Sequence, residues 1–247
     1  MSDGKHIFAI YVPALDAVLA GGACILSDAL VVHRIAQVLR LSPLDQVILF
    51  DREQHATVQL ETISKKKVSG ILLKREPNKT LTPEILFLMP ILKKEALSHA
   101  IYSAVEVGAN AIQLVRTQKS SRDISTHELE RLERVAIAAS EQSKQFAVPT
   151  LSSPIKLEEA IEVSGDIKIF FDPCGQPASQ VVPALQEQTM QKIVMFIGPE
   201  GDITQSEKAL LHNSNWTFCA LVPTILRSVQ AVAVSLGIIR SMVRNKV

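Results

Sequence analysis

The spacing of apolar and polar positions changes character near residue 80. Beyond it, short unbroken apolar runs alternate with longer segments of helical spacing. The run Ile193–Ile197, closed by Gly198-Pro199-Glu200-Gly201, is too short for a helix and reads as a strand buried on both faces. Strands of the same kind are predicted at Ile85–Met89, Ala111–Val115, Ile167–Phe171 and Thr217–Leu221. Helices are predicted over Lys93–Val107, Thr126–Phe146, Lys156–Val163, Gln180–Gln188, Gln205–Asn213 and Val229–Arg244. Ser125 with Glu128, and Thr204 with Glu207, form capping boxes at two of these helix starts, and Gly108 is a C-cap for the first helix. Alternation of this kind implies an α/β unit with a parallel sheet and helices on both faces. The last helix is apolar nearly all round, from Val229 through Val243, so it must be covered on more than one side, within the domain or by a second copy of the chain.

Before residue 80 the pattern is strand-rich and partly alternating, with runs at Ile7–Val12, Val47–Asp51, Ala56–Ile63 and Val68–Leu73. One helix, capped by Ser27 or Asp28, runs to about Leu39, with Leu30, Val31, Ile35, Val38 and Leu39 at helical spacing. This predicts a small β-barrel domain over residues 1–75, a polar linker at Arg75–Thr82, and a second domain over 76–247.

Of the 247 residues, 47% are hydrophobic, enough to bury a core in each domain. The longest uncharged apolar runs, Ile85–Leu92 and Ala231–Ile239, are too short to span a bilayer, and Met1–His6 has no signal-peptide core. A cytoplasmic protein with no membrane partner is therefore expected. Cys24, Cys174 and Cys219 are isolated singletons and the six histidines are scattered, which argues against disulfides and against a metal site. No nucleophile elbow or Walker-type loop is present. A net charge of +1 excludes a uniformly basic nucleic-acid binder but leaves room for a local patch. Arg34, Arg40, Lys65-Lys66-Lys67 and Lys74-Arg75 are either an ordinary solvated surface or a phosphate-contacting patch.

Three strand-end turns carry the candidate chemistry: Asp172-Pro173-Cys174-Gly175, Gly198-Pro199-Glu200-Gly201, and Val222-Pro223-Thr224-Ile225-Leu226-Arg227. If their strands are parallel neighbours, the turns meet at one sheet edge, where α/β proteins bind ligands.

Gly198-Pro199-Glu200-Gly201 followed by Glu207, then Leu221-x-Pro223-x-Ile225-Leu226-Arg227 and Ala231, resemble the RsmE family. These are bacterial 16S ribosomal RNA methyltransferases that modify uridine N3, of the SPOUT (trefoil-knot) class. The resemblance covers nearly the whole chain. His33-Arg34-Ile35, Val38-Leu39-Arg40-Leu41, Asp45 and Phe50-Asp51 are similar to the family's PUA-like RNA-binding barrel. Lys93, Glu106-x-Gly108, Thr117-x-x-Ser120 and Ala139-x-Glu141-Gln142-Ser143 match further positions. The resemblance implies a SPOUT α/β trefoil knot that binds S-adenosylmethionine and forms a homodimer through the knot and the C-terminal helix. It also implies 16S rRNA or the small ribosomal subunit as partner.

On that basis Phe171, Ile197, Gly198, Pro199, Glu200, Gly201, Leu221, Val222, Pro223, Ile225 and Leu226 are the expected cofactor-binding residues. Arg227 is expected to face uracil or its phosphate, with Glu200 ordering the loop or assisting proton removal; Arg34, Arg40, Lys119 and Arg122 are expected to meet RNA phosphates. The chain departs from the family pattern at Val222 (Gly in the family), Thr224 (Arg), Asp202 (Gly) and Ser228-Val229-Gln230 (x-Glu-Thr). A valine in place of a glycine is expected to strain the loop or crowd the pocket. Two readings follow: an active methyltransferase, or a degenerate homologue that serves as an RNA-binding or ribosome-assembly protein.

Overall fold

The computed structural model describes residues 6–186 and 191–242; the predicted helix positions Glu187, Gln188, Val243 and Arg244 lie outside the described residues. The chain divides into two compact units, residues 1–79 with 140–148, and residues 80–139 with 149–247.

The first unit contains β1 (Phe8–Tyr11), α1 (Leu15–Val18), β2 (Leu19–Ala20), β3 (Ala23–Leu26), α2 (Ala29–His33), β4 (Gln46–Phe50), β5 (Gln54–Ile63) and β6 (Val68–Pro77). They form one six-stranded sheet in the order β1-β4-β5-β6-β3-β2. Alternate residues Val47 and Leu49 of β4, and Val58 and Leu60 of β5, point into a core shared with Leu26 and Ile35. Among the described residues no pairing joins β1 to β2, so the barrel expected from the strand pattern is an open sheet. The physical reason is length: β2 has two residues, and among the described residues it pairs with β3 alone. Asp28, not Ser27, caps α2, accepting from the amides of Leu30 (3.0 Å) and Val31 (2.9 Å). The helix then widens to π geometry over Arg34–Val38 and ends at Arg40, whose φ is 51°. Glu141 is buried in this unit, accepting from the Tyr11 amide (2.9 Å) and from Arg34 (2.7 Å). The linker predicted from Arg75 starts later, because β6 continues to Pro77.

The second unit contains β7 (Glu84–Pro90), α3 (Lys94–Glu106), β8 (Ala111–Arg116), α4 (Thr126–Ser143, whose last turn belongs to the first unit), β9 (Thr150–Lys156) and α5 (Leu157–Ala160). It continues with β10 (Ile167–Pro177), α6 (Ala178–Gln186), β11 (Lys192–Ile197), α7 (Gln205–Asn213), β12 (Thr217–Ala220) and α8 (Ser228–Met242). All six strands are parallel, in the order β12-β10-β11-β7-β8-β9. β11 shows why an unbroken apolar run is required. Ile193, Met195 and Ile197 enter the core that holds Leu97 of α3, Leu132 of α4 and Val232 of α8. Val194 and Phe196 enter the opposite core, with Leu157 of α5, Leu211 of α7 and Trp216.

Several elements of this unit differ from the sequence pattern, among them α5, a single turn over Leu157–Ala160 where the pattern predicts a helix over Lys156–Val163. β9 escaped it because Ser152-Ser153-Pro154 gives an edge strand little apolar character. α4 stops at Ser143 rather than Phe146, where Lys144 turns left-handed with φ 57°. β10 does not end at Phe171: its register shifts between Phe171 and Gln176 and the strand resumes beside Cys219 and Ala220. Gly175 permits this bulge, since a Cβ there would lie 2.5 Å from the Cys219 nitrogen. On α8, Val232, Leu236 and Ile239 are buried while Val229, Ala231 and Ile238 are half-buried, so one face is core and the rest is only partly covered in the single chain.

Candidate functional site

β12, β10 and β11 are consecutive neighbours, so the segments that follow Phe171, Ile197 and Ala220 meet at the carboxyl edge of the sheet. They enclose a cavity of about 400 Å³. Phe171, Ile197, Gly198, Pro199, Glu200, Leu221, Val222, Ile225 and Leu226 line it, as does Arg227; Gly201 and Pro223 do not. Asp172, Asp202, Cys219 and Ser228 complete much of the remaining wall. Val222 leaves the cavity open, and its backbone is not among the left-handed residues, so the strain expected of a valine here is absent.

The glycine turn is fastened from several directions. The Asp202 amide donates to the Pro199 carbonyl (2.9 Å), and Ser228 Oγ at the start of α8 donates to the Gly198 carbonyl (3.1 Å). Lys119 Nζ donates to the Gly201 carbonyl (2.8 Å). Glu207 is fully buried and does two jobs. It completes the capping box with Thr204, and it accepts the Gln118 amide (2.7 Å), tying the segment after β8 to the start of α7. Asp202 occupies the left-handed region at φ 56°, tolerable for a short polar side chain, and its Oδ1 accepts the Ile203 amide (2.8 Å).

Charge inside the wall is organised around Lys208. Its Nζ lies 2.6 Å from Asp172 Oδ2 and 2.8 Å from Asp202 Oδ2. Burial alone would raise the Asp172 carboxyl, but Lys208 and the Cys174 amide hold it below the ordinary carboxylate range. Burial likewise opposes the charge on Lys208, and the two aspartates more than offset it. Burial pushes the Cys219 thiol up to about 11, which makes it an inert wall rather than a nucleophile.

Main-chain groups on the opposite side are unpaired: Val222–Leu226 make no hydrogen bond among the described residues, and the Ile225 side chain is 86% exposed. Arg227 and Glu200 are also exposed and form no ion pair among the described residues. The Arg227 carbonyl accepts the Ala231 amide (2.9 Å), which places a cation at the positive end of α8 without a carboxylate to balance it.

The expected RNA contacts fare differently from one another. Arg34 is engaged with Glu141, and Arg122 holds Glu128 through both carboxylate oxygens (3.0 and 2.8 Å) and donates to the Leu92 carbonyl (2.9 Å). Lys119 is exposed but fastened to the glycine turn, and Arg40 is exposed. Asp172 is legible in the sequence only as the first residue of its turn, and Lys208 carries no signal there. They are 36 residues apart, and nothing in either local pattern signals the other.

A wholly parallel sheet with a ligand-sized cavity at its carboxyl edge defines an α/β protein of the cofactor-binding kind. Residues 79–240 match the model of the RNA methyltransferase domain family, and the chain belongs to that family. It is similar over 85% of its length, at 26% identity, to ribosomal RNA small subunit methyltransferase E of Rickettsia conorii, covering 86% of that protein. The protein of the same name from Bacillus subtilis is 26% identical over 84% of this chain and 86% of its own. The crystal structure of a ribosomal RNA small subunit methyltransferase E from Neisseria gonorrhoeae bound to S-adenosyl methionine shares the fold. It superposes with a TM-score of 0.82 over 96% of this chain and 98% of that one, at 22% identity.

Proposed function

We infer that the chain is an S-adenosylmethionine-dependent methyltransferase that modifies uridine N3 in 16S ribosomal RNA. The observation that carries this is a cavity with one fastened wall and one unpaired main-chain wall, inside a domain of the RNA methyltransferase family. Its volume falls within the roughly 300–1,000 Å³ of small-ligand sites. The apolar side chains of Ile197, Leu221 and Leu226 suit an adenine ring, and the free amides and carbonyls of Val222–Leu226 suit its edge. When bound, S-adenosylmethionine supplies a methyl group on a sulfonium that is its own leaving group.

The chain's remaining work is to orient the acceptor and manage one proton. Uridine N3 must lose its proton, so a cation beside the uracil stabilises the charge that develops. Arg227 is exposed at the rim with no competing partner and takes that role; Glu200, equally unpaired, orders the loop or receives the proton. Arg40 and Lys119 are the exposed cations for RNA phosphates, Lys119 while also holding the Gly201 carbonyl, whereas Arg34 and Arg122 reach them only in addition to their internal ion pairs. We assign residues 1–75 to a PUA-like RNA-binding domain built on its open six-stranded sheet, and 76–247 to a trefoil-knot methyltransferase domain. The partly covered face of α8, with Met242 44% exposed, is the surface for a homodimer. A cytoplasmic location fits the absence, among the described residues, of any helix long and apolar enough to cross a membrane.

The test is nucleoside mapping of 16S rRNA by mass spectrometry from cells with and without the gene. One N3-methyluridine disappears without it. Unchanged rRNA, with no cofactor binding by calorimetry at millimolar S-adenosylmethionine, identifies an RNA-binding homologue instead. Light scattering of the purified protein as a 27.1 kDa species overturns the dimer.

A further inference from the structure

Two of the three turns around the cavity are joined by a single side chain. Lys208 reaches Asp172, in the bulge of β10, and Asp202, at the end of the glycine turn, at 2.6 and 2.8 Å. Each aspartate also shapes its own turn through its other oxygen: Asp172 Oδ1 accepts the Cys174 amide (2.7 Å) and Asp202 Oδ1 accepts the Ile203 amide (2.8 Å). Asp172 is buried, with its side chain 3% exposed, and the Lys208 side chain is 18% exposed. Lys208 itself stands on a rigid base, because its neighbour Glu207 is locked by the capping box of α7 and by the Gln118 amide. Its anchor point is therefore fixed, and its largely buried pair with Asp172 is screened less by water than a pair on an open surface.

We propose that Lys208 is a positioning residue: it sets the separation of the β10 and β11 turns and so keeps the cofactor cavity in its binding shape. The proposal rests on the S-adenosylmethionine reading above. A role through charge alone predicts the opposite effect on one ligand. The lysine and two aspartates sum to one negative charge beside the cavity, and removing the lysine leaves two. More negative charge favours a cationic sulfonium over its uncharged thioether counterpart. Loss of shape weakens both ligands alike.

Calorimetry of the full chain with S-adenosylmethionine and with S-adenosylhomocysteine separates these. Lys208→Met raises Kd for both ligands about tenfold, with their ratio unchanged within about twofold, because a misplaced wall serves neither. KM for S-adenosylmethionine rises in step, while kcat at saturation stays within about threefold. Since Lys208→Met leaves Asp172 buried without a cation, Lys208→Met with Asp172→Asn is measured beside it; this pair removes the stranded charge and keeps the loss of affinity. Asp202→Gly, at an exposed position, releases only one turn and gives an intermediate loss of about threefold. Unchanged affinity in the variants overturns the proposal, and so does a selective gain for S-adenosylmethionine over S-adenosylhomocysteine. If the unaltered protein binds neither ligand, the cofactor reading falls, and this inference falls with it.

Discussion

The two turns that flank the cavity are built on opposite plans. Gly198–Asp202 is fastened at Gly198, Gly201 and Asp202 by groups from three other segments, and is closed on itself by the bond from the Asp202 amide to the Pro199 carbonyl. Val222–Leu226 has no main-chain hydrogen bond among the described residues and turns Ile225 outward. One wall is finished before any ligand arrives, and the other keeps its donors and acceptors available. Binding energy is conserved by the first, since nothing there must be ordered, and recognition is left to the second, whose polar groups have no competitor. Arg227 closes the open wall and inherits its freedom.

That contrast can be tested from either side. The largest effect is expected at the open wall: Arg227→Ala lowers kcat about 10²–10³-fold in methyl-transfer assays, with thermal stability unchanged because the side chain is exposed. A fall below about threefold removes Arg227 from the chemistry. Next is the fastened wall. Glu207→Ala loses both a helix cap and the bond from Gln118, and costs roughly 2–4 kcal/mol in urea unfolding. Loss of activity without loss of stability there would contradict a preformed wall. Ile225→Ser weakens S-adenosylmethionine about 3–10-fold by calorimetry, since cofactor covers a side chain that water covers in the free protein. The smallest effect is at Val222. Val222→Gly weakens binding by no more than about threefold through added loop freedom, because the valine is unstrained and leaves the cavity open. A tenfold gain instead would mean that the valine does obstruct the pocket. Amide exchange offers a direct view: cofactor slows exchange across Val222–Leu226 far more than across Gly198–Asp202.

Much of this was legible from residue order. The apolar run Ile193–Ile197 reads as a doubly buried strand because both of its faces meet helices. Thr204 with Glu207 reads as a helix start because the box is a contact between residues three apart. The turns at Gly198 and Val222 are recognisable because glycine and proline end the apolar runs that precede them. Other features were invisible for the converse reason. The β10 bulge depends on how closely Gly175 approaches the backbone of Cys219. Arg34 and Arg122 look like free cations in a list of residues, and their carboxylate partners appear only when Glu141 and Glu128 are brought alongside. The worry over Val222 was a matter of torsion angle, which composition does not carry.

Residue order alone determined the central strands of the second unit, where its capped helices begin, and which three turns bear the unusual glycines, prolines and arginine. These depend on local propensity and short-range periodicity. Only the folded chain decided that β12, β10 and β11 lie side by side, that one turn is fastened and the other free, and that Lys208 joins Asp172 to Asp202. Those facts are set by contacts between residues far apart in sequence, whose partners are chosen by packing and not by neighbours along the chain.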